Sequence, residues 1–213
     1  MTAHTDQIVL IGAGGFGRET AGLVASLAGV EALGFLDDAP QLQGKTLARL
    51  GVLGSLDLLP SMPEVGVVIT MGNPQDPAIR SRIVERLSLP AERYRTLIHP
   101  MATVGPDVEI GAGTVIHAGS VFTQDIRIGR HVAIMPNVVF THDDQVGDFA
   151  TLGAGAMLAG SVVVEDSAYV GSGATVREGC RIGPGAVVGM GSVVLTDVPG
   201  GEAWAGVPAR RLA

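Results

Sequence analysis

The second half of the chain, residues 98–199, places an apolar residue at every sixth position without an insertion or deletion. Counted from Ile98, the first slot of each six-residue unit holds Ile98, Val104, Ile110, Ile116, Phe122, Ile128, Ile134, Phe140, Val146, Leu152, Leu158, Val164, Val170, Val176, Ile182, Val188 and Val194. The fifth slot is small or β-branched almost throughout, and Gly is frequent in the second slot. A period of six fits neither an α-helix nor an alternating strand, but it is typical of short strands joined by tight corners.

Three such units make one triangular coil of eighteen residues, so the seventeen units make a little under six coils. The first and fifth slots are expected to point into a narrow core, while Gly, Asp and Asn between them supply the positive φ angles of the corners. One coil buries its inner face only by stacking on its neighbours. The pattern therefore predicts a parallel β-helix.

The first 95 residues instead alternate apolar strand-like runs with helices. Strands are predicted at residues 8–11, 32–36, 51–53 and 65–71, and helices at residues 19–27 and 77–87. This alternation indicates a parallel α/β sheet, and its length suits half of a Rossmann fold. We therefore predict two domains, an α/β half-Rossmann domain (1–95) and a β-helix domain with a C-terminal tail (96–213).

A glycine-rich loop follows the first predicted strand. It contains Gly12, Gly14, Gly15, Phe16 and Gly17. The G-x-G-x-x-G spacing between a strand and a helix lets backbone N–H groups approach a phosphate. Asp37 and Asp38 end the second strand, where an acidic side chain commonly binds a ribose or base. Half a dinucleotide fold suits a mononucleotide or a nucleotide sugar; the alternative is that the glycines only permit close strand–helix packing.

Another candidate ligand contact is the turn MGNPQD, whose Gly72 and Asn73 follow a predicted strand. Open parallel sheets bind ligands at this edge. In the next helix, Arg80 and Arg82 either contact phosphate or form a solvated helix face, and the solvated face is favoured.

The repeat is most disturbed at FTHDDQ, residues 140–145. Asp144 is the only charged residue in any fifth slot, where an unpaired carboxylate is costly to bury, so either the coil deforms or Asp144 has a partner. Beside it, His142 and Asp143 place an imidazole next to a carboxylate, which fixes the ring tautomer and makes the other nitrogen a better base. Each residue alone is typical of a solvated corner, but together they are interpreted as a catalytic pair.

Taken together, GAGGFGRE, FLDD, MGNPQDPAIR, THDD and GVPAR resemble the sialic acid O-acyltransferase-like family, which includes bacterial nucleotide-aminosugar N-acetyltransferases. The resemblance covers the whole chain. It implies a left-handed β-helix and a homotrimer. It also implies that acetyl-CoA binds between neighbouring β-helices and that a nucleotide sugar binds the N-terminal domain.

The resemblance also implies roles for individual residues. His142 matches the catalytic histidine, Asp143 its acidic partner, and Gly160 a glycine whose backbone N–H bonds the thioester carbonyl. The glycine loop and the Asp37–Asp38 pair match the phosphate-binding and nucleoside-binding positions. The tail segment that folds beside the CoA nucleotide corresponds to Gly206, Val207, Pro208, Ala209 and Arg210. Trp204, just before it, is expected to pack rather than bind.

Two positions depart from the aminosugar acetyltransferases. Phe16 stands where they tend to have His, and Met135, seven residues before His142, stands where they tend to have Asn. The expected reaction is acetyl transfer from acetyl-CoA, foremost to an amino group of a nucleotide-linked sugar. The alternatives are O-acetylation of a sialic-acid-like sugar or other hydroxylated metabolite, and a nucleotide-binding scaffold trimer; a dehydrogenase is weaker still.

Composition adds several expected absences. The net charge of −7 gives no electrostatic footprint for nucleic acid or an anionic membrane. The sequence shows no signal peptide and no apolar stretch of ~20 residues, so a cytoplasmic protein is expected. His99 and His117 should stack one coil apart, but the chain lacks the pair of histidines five residues apart that zinc-binding proteins of this fold use, and no metal is expected.

Overall fold

The structure is a computed structural model that describes residues 5–212. The N-terminal domain contains strands β1 (Asp6–Ile11), β2 (Val30–Leu36), β3 (Thr46–Leu47), β4 (Leu50–Gly54) and β5 (Gly66–Ile69), and helices α1 (Gly15–Val24) and α2 (Ile79–Leu87). Short 3-10 helices occupy Pro40–Leu42, Leu56–Ser61 and Ala91–Arg93. The sheet order is β3-β4-β2-β1-β5, and all pairs are parallel except the β3–β4 hairpin. This is the order of one Rossmann half, as the sequence predicts.

Helix α1 begins four residues earlier than predicted, inside the glycine loop. Its N-cap is Gly14, in an extended conformation, and it ends at Val24 rather than at residue 27. Glycine lowers intrinsic helix propensity, which is why the sequence pattern alone places the start too late. Within residues 5–212, no helix has the length and apolarity needed to cross a membrane.

The repeat region forms seventeen short strands, followed by two in the tail. They are β6 (Leu97–Ile98), β7 (Thr103–Val104), β8 (Val108–Ile110), β9 (Val115–Ile116), β10 (Val121–Phe122), β11 (Ile126–Ile128), β12 (Ala133–Ile134), β13 (Val139–Phe140), β14 (Gln145–Val146), β15 (Thr151–Leu152), β16 (Met157–Leu158), β17 (Val163–Val164), β18 (Tyr169–Val170), β19 (Thr175–Val176), β20 (Arg181–Ile182), β21 (Val187–Val188), β22 (Val193–Val194), β23 (Ala203–Ala205) and β24 (Arg210–Arg211). Each strand from β6 to β19 pairs in parallel with the strand three places on, for example Val139 with Met157.

Three sheets form the faces of a left-handed parallel β-helix. We call β7-β10-β13-β16-β19-β22 the apolar face, because four of its six outward, sixth-slot residues are Val or Met. The sheet β8-β11-β14-β17-β20, with outward residues such as Glu109 and Arg127, is the polar face. The third sheet, which contains β6 to β21 and the tail strands, is the covered face. Leu97 and Val115 of this sheet pack in one core cluster with β1 and α1, so the N-terminal domain sits on it.

The core of the β-helix is the column of first-slot and fifth-slot side chains that the sequence predicts. First-slot residues from Ile116 to Val194 are buried, whereas Val104 of the first coil is 42% exposed. Fourth-slot residues, such as Asp107 and Asp143, take the positive φ of the corners.

Second-slot glycines serve a different purpose from the one expected. Gly105 and its equivalents do not have positive φ. A Cβ added to Gly105 would lie 1.8 Å from the carbonyl oxygen of Thr123 in the next coil. Glycine is therefore needed at these positions so that neighbouring coils can approach closely.

Arg80 of α2 joins the two domains and is neither solvated nor on a phosphate site, which corrects both expectations for this residue. Its side chain is almost completely buried. Its guanidinium donates hydrogen bonds to neutral acceptors of both domains, namely the carbonyl oxygens of Met71, His131, Phe149 and Ala150 and Oγ1 of Thr151. Burial lowers the pKa of Arg80 to about 10, so the group is still charged at neutral pH.

Replacing Arg80 by alanine is expected to lower the free energy of unfolding by about 3 kcal/mol, because several buried carbonyl oxygens lose a charged donor. Arg82→Ala is the matched control, since Arg82 lies two residues along the same helix in an exposed ion pair with Asp76. It is expected to leave stability nearly unchanged. Chemical denaturation of both variants measures the difference, and equal small effects would contradict the role assigned to Arg80.

Candidate active site

His142 and Asp143 lie at the corner between β13 and β14, where the apolar face meets the polar face. His142 Nδ1 is 2.7 Å from Asp143 Oδ2. Both side chains are more than half exposed, at 66% and 59%. A carboxylate bonded at Nδ1 favours the tautomer that carries its proton there, which leaves the Nε2 lone pair open to a substrate proton. The pair predicted from the sequence is therefore formed, and it has the geometry of an oriented base.

Gly160 lies one coil on from His142, directly against its imidazole. A Cβ added to Gly160 would lie 2.4 Å from Cε1 and 2.5 Å from Nε2 of His142. The Ser161 N–H donates to the His142 carbonyl oxygen at 2.9 Å. Within residues 5–212 the Gly160 N–H donates no hydrogen bond. A candidate base and an unengaged backbone donor therefore lie side by side.

Asp144 follows this pair and is completely buried. Its two carboxylate oxygens accept hydrogen bonds from the Thr141 N–H at 3.0 Å and the Val162 N–H at 2.9 Å. Strands β13 and β14 keep their register with the next coil, and Asp144 is partnered. Burial raises the pKa of Asp144 to about 7 despite these two bonds.

A groove opens from this corner along the polar face. Its first part has a volume of about 600 Å³ and is lined by Asp107, Glu109, Asp125, Arg127 and Asp143 among others. A second part of about 660 Å³ continues past Gln145 towards Pro184. Asp143 thus borders a long open channel on the outside of the β-helix, and His142 precedes it at the same corner.

The glycine loop lines a separate cavity of about 200 Å³, the glycine-loop cavity. Its walls include Gly12, Gly14, Gly15, Phe16, Asp37 and Gly72. Because α1 begins at Gly15, the N–H groups of its first turn lie at this cavity. Asp37 Oδ2 accepts a hydrogen bond from the Ala13 N–H at 2.8 Å and thereby holds the loop against β2.

The glycines of the loop divide into two kinds. A Cβ added to Gly17 would lie 2.1 Å from the Gly12 carbonyl oxygen, so Gly17 permits close packing of α1 on the loop. Gly14 and Gly15 have open space around them. The two interpretations of this motif, packing and ligand approach, therefore apply to different glycines.

Asp38 and Asn73 lie apart from the glycine-loop cavity. Asp38 accepts a hydrogen bond from the Leu56 N–H at 3.0 Å and forms an ion pair with Arg86. The Leu56 bond and then Arg86 lower the pKa of Asp38. Asn73 Oδ1 accepts a bond from the Gln75 N–H at 2.9 Å and shapes its own turn. One member of each predicted pair therefore lines the cavity: Asp37 but not Asp38, and Gly72 but not Asn73.

A further cavity of about 260 Å³, the interdomain cavity, lies between α1 and the covered face. Its walls are Phe16, Glu19, Gly72, Ala133, Met135, Thr151, Gly153, Ala154, Tyr169 and Ser172. Phe16 and Gly72 also line the glycine-loop cavity, so the two adjoin. The sequence did not single out Tyr169, although it is the only aromatic residue in a sixth slot of the repeat. His142 lines neither cavity, because it lies at a different edge of the prism.

The tail folds over the C-terminal end of the β-helix. The Gly206 N–H donates to Ser192 Oγ at 3.2 Å, and the Ala209 N–H donates to the Val193 carbonyl oxygen at 2.8 Å. Ala209 is buried in the core, while Val207 is 72% exposed beside Pro208. The Arg210 side chain is exposed, with Nη1 bonded to the Ala209 carbonyl oxygen.

The tail therefore lies about three coils, or roughly 14 Å, along the axis from His142. Trp204 packs against the core and donates from Nε1 to Glu202, as the sequence favours. In the part of the chain that the structure describes, no cluster of three His, Cys, Asp or Glu side chains has the arrangement of a metal site.

Comparison with known proteins agrees with this architecture. Residues 7–87 match the PglD N-terminal domain, and residues 95–124 and 161–196 match the bacterial transferase hexapeptide repeats. The chain is 35% identical over 111 residues to UDP-N-acetylbacillosamine N-acetyltransferase of Bacillus subtilis (strain 168), an alignment that spans 51% of this chain and 50% of that relative.

Solved structures that are similar along nearly the whole chain include two acetyltransferases. The acetyltransferase domain of PglB from Neisseria gonorrhoeae has a TM-score of 0.85 and 30% identity, covering 98% of this chain and 100% of that domain. PerB from Caulobacter crescentus, in complex with CoA and GDP-perosamine, has a TM-score of 0.87 and 29% identity, covering 97% of both chains.

The hexapeptide repeats, together with acetyltransferases among the relatives and solved structures, make this chain an acyltransferase of the hexapeptide-repeat class. Within that class, the chain belongs to the family of sugar acetyltransferases that carry a PglD-type N-terminal domain.

Proposed function

We propose that this protein transfers the acetyl group of acetyl-CoA to an amino group of a nucleotide-linked sugar. The observation that carries the proposal is the His142–Asp143 pair, whose imidazole lies against Gly160, a residue whose N–H donates no hydrogen bond within residues 5–212. Support comes from the PglB domain, which has been solved with acetyl coenzyme A, and from PerB, solved with CoA and GDP-perosamine.

In the proposed reaction, the acceptor nitrogen attacks the thioester carbonyl carbon while His142 Nε2 takes its proton. Asp143 holds the ring and stabilises the imidazolium, and the Gly160 N–H donates to the developing oxyanion. The C–S bond then breaks, and the imidazolium returns the proton to the leaving thiolate of CoA. Direct transfer needs no covalent acyl-enzyme. The polar-face groove and the tail residues Gly206 to Arg210 are the proposed binding surface for CoA.

The nucleotide is proposed to bind the glycine-loop cavity, with its diphosphate at the start of α1. The sugar then extends into the adjoining interdomain cavity, past Phe16 and Met135. Since a chain's own His142 does not line that cavity, we propose that the base comes from a neighbouring subunit of a homotrimer. The apolar face supports this assembly, because Val121, Val139 and Met157 point outwards from it and Met157 is 50% exposed.

Met157→Glu is expected to disrupt the trimer, because it places a charge in the middle of the apolar face. Arg127→Glu is the control, since Arg127 is an exposed sixth-slot residue of the polar face. Light scattering coupled to size exclusion is expected to show trimers for the wild type and Arg127→Glu and a smaller species for Met157→Glu. A trimeric Met157→Glu variant would contradict the use of this face.

The apolar side chains of Phe16 and Met135 in the interdomain cavity keep O-acetylation as a second candidate, because neither side chain supplies a polar contact to an amino sugar. The function is tested with acetyl-CoA and a panel of GDP-linked and UDP-linked amino sugars, together with sialic acids. Transfer to a nucleotide amino sugar supports the proposal, and transfer only to sialic acids supports O-acetylation. CoA binding without transfer to any acceptor of the panel would contradict the proposed substrate class.

A further inference from the structure

Asp144 changes the hydrogen-bond pattern of the β-helix at the corner that carries His142. From His99 to Arg177, each second-slot N–H except that of Thr141 donates to a first-slot carbonyl oxygen in the next coil. Thr141 should bond Leu158 by this rule, but its N–H donates to Asp144 Oδ2 at 3.0 Å. Among residues 5–212, this is the one interruption in that series of coil-to-coil bonds.

The second oxygen of Asp144 redirects another backbone group, this time in the next coil. In neighbouring units the fifth-slot N–H, such as that of Ala156 or Ala168, closes a turn by donating to a carbonyl oxygen three residues earlier. The Val162 N–H donates instead to Asp144 Oδ1 at 2.9 Å. The two redirected N–H groups flank the two residues that meet at the site, His142 and Gly160.

The place of this interruption has a direct steric meaning. The His142 imidazole fills the space that a Cβ on Gly160 would occupy, and His142 directly follows Thr141, whose bond to Leu158 is missing. The Asp144 carboxylate accepts hydrogen bonds from the Thr141 N–H of its own coil and the Val162 N–H of the next coil. Both donors are satisfied, while the Thr141–Leu158 bond between the coils is not formed. The carboxylate thereby keeps room for the imidazole.

We propose that Asp144 is a positioning residue for acetyl transfer, which leaves the Thr141–Leu158 bond unmade so that the His142 imidazole rests against Gly160. This rests on the proposed function. Asp144 does not touch the reacting atoms, since it is completely buried in the coil. It acts through the backbone of Thr141 and Val162.

The arrangement costs stability, and the sign of its pH dependence follows from the burial. The ionisable groups acting on Asp144 are His142 and Asp143 of its own corner, while the fifth-slot neighbours in adjacent coils, Ile126 and Val162, are apolar. Burial holds the pKa of Asp144 at about 7 in the folded chain against 3.8 for a free side chain. The folded state therefore binds the proton more tightly, and stability is highest below the unfolded pKa and declines as the pH rises through 7.

The test uses Asp144→Val, which restores the residue type found in several other fifth slots, and the milder Asp144→Asn. Cys180→Val is the matched control, because Cys180 is a buried fifth-slot residue of the same column two coils on. For Asp144→Val we expect kcat to fall at least ~10-fold, because displacement of a catalytic group by about 1 Å is costly. The KM for acetyl-CoA should stay within about twofold, and the melting temperature should rise, more at pH 8 than at pH 5.

A merely structural role predicts the opposite, a loss of stability together with activity, and that result would overturn the proposal, as would an unchanged kcat. If Asp144→Val does not fold, Asp144→Asn decides, because it keeps one hydrogen-bond acceptor and is expected to retain an intermediate kcat.

A crystal structure of Asp144→Val tests the proposal without any acetyl-acceptor substrate. It should show the Thr141–Leu158 bond formed and the imidazole moved from Gly160, whereas an unmoved imidazole refutes the role. Wild-type enzyme inactive with every acceptor would count against the proposed function, while the structural and thermal results would still decide on Asp144.

Discussion

His142→Ala is expected to lower kcat for acetyl transfer by ~100-fold to 10,000-fold, the usual contribution of a general base. The KM for acetyl-CoA should remain within about twofold, because the imidazole is proposed to act on the acceptor proton rather than on the nucleotide of CoA. The measurement is release of free CoA thiol under saturating acceptor.

Gln124→Ala is the matched control for this substitution. Gln124 occupies the same exposed third slot one coil earlier, so it shares the environment of His142 without Gly160 above it. Its kcat should stay close to that of the wild type. Nearly wild-type acetyl transfer by His142→Ala would contradict the role of His142 as the general base.

Gly160→Ala is expected to lower kcat by about 100-fold, because the new methyl group would lie 2.4 Å from His142 Cε1. The imidazole must move away, and the N–H proposed to stabilise the oxyanion is then no longer matched to the position of the base. The affinity for CoA should not change with kcat, and isothermal titration calorimetry measures this affinity independently.

Gly22→Ala serves as the control for Gly160→Ala. A Cβ at Gly22 meets no atom within 4 Å, and the residue lies on the exposed side of α1. This exchange should keep kcat and raise helix stability slightly. A Gly160→Ala enzyme with the wild-type kcat would show that the contact with His142 is not used.

The three faces of the β-helix are proposed to have separate functions. The covered face carries the N-terminal domain, which Arg80 fixes through its buried hydrogen bonds. The apolar face is proposed to meet a second subunit, and the polar face to bind CoA. His142 lies where the apolar and polar faces meet, which is the place where an acceptor held by one subunit and CoA held along another can come together.

The sequence predicts the β-helix well because each slot of the repeat has one environment. A first-slot Val or Ile is inside wherever coils lie on both sides, and a fourth-slot residue always takes the corner. The corner pair His142–Asp143 follows from the same counting, since neighbours in sequence remain neighbours in a corner. Asp144 is recognisable for the same reason, as the one charge in a core slot.

Features that depend on distant parts of the chain are not predicted. Arg80 bonds carbonyl groups 51 to 70 residues away, and nothing in its own helix distinguishes it from Arg82. Asp37 and Asp38 share one motif, but only Asp37 turns to the glycine loop, because Arg86 and the Leu56 N–H hold Asp38. Hydrogen bonds to distant backbone carbonyl groups and the directions of single side chains cannot be predicted from composition or periodicity.

Acetyl transfer is tested most directly by a single assay of the wild-type protein with acetyl-CoA and nucleotide-linked amino sugars. Thiol release and mass spectrometry of the acceptor are followed together. We expect one CoA thiol to be released for each acetyl group gained by the sugar nucleotide, and no transfer to the free nucleotide. Binding of both substrates, shown by calorimetry, without any acetylated product would contradict the proposed function.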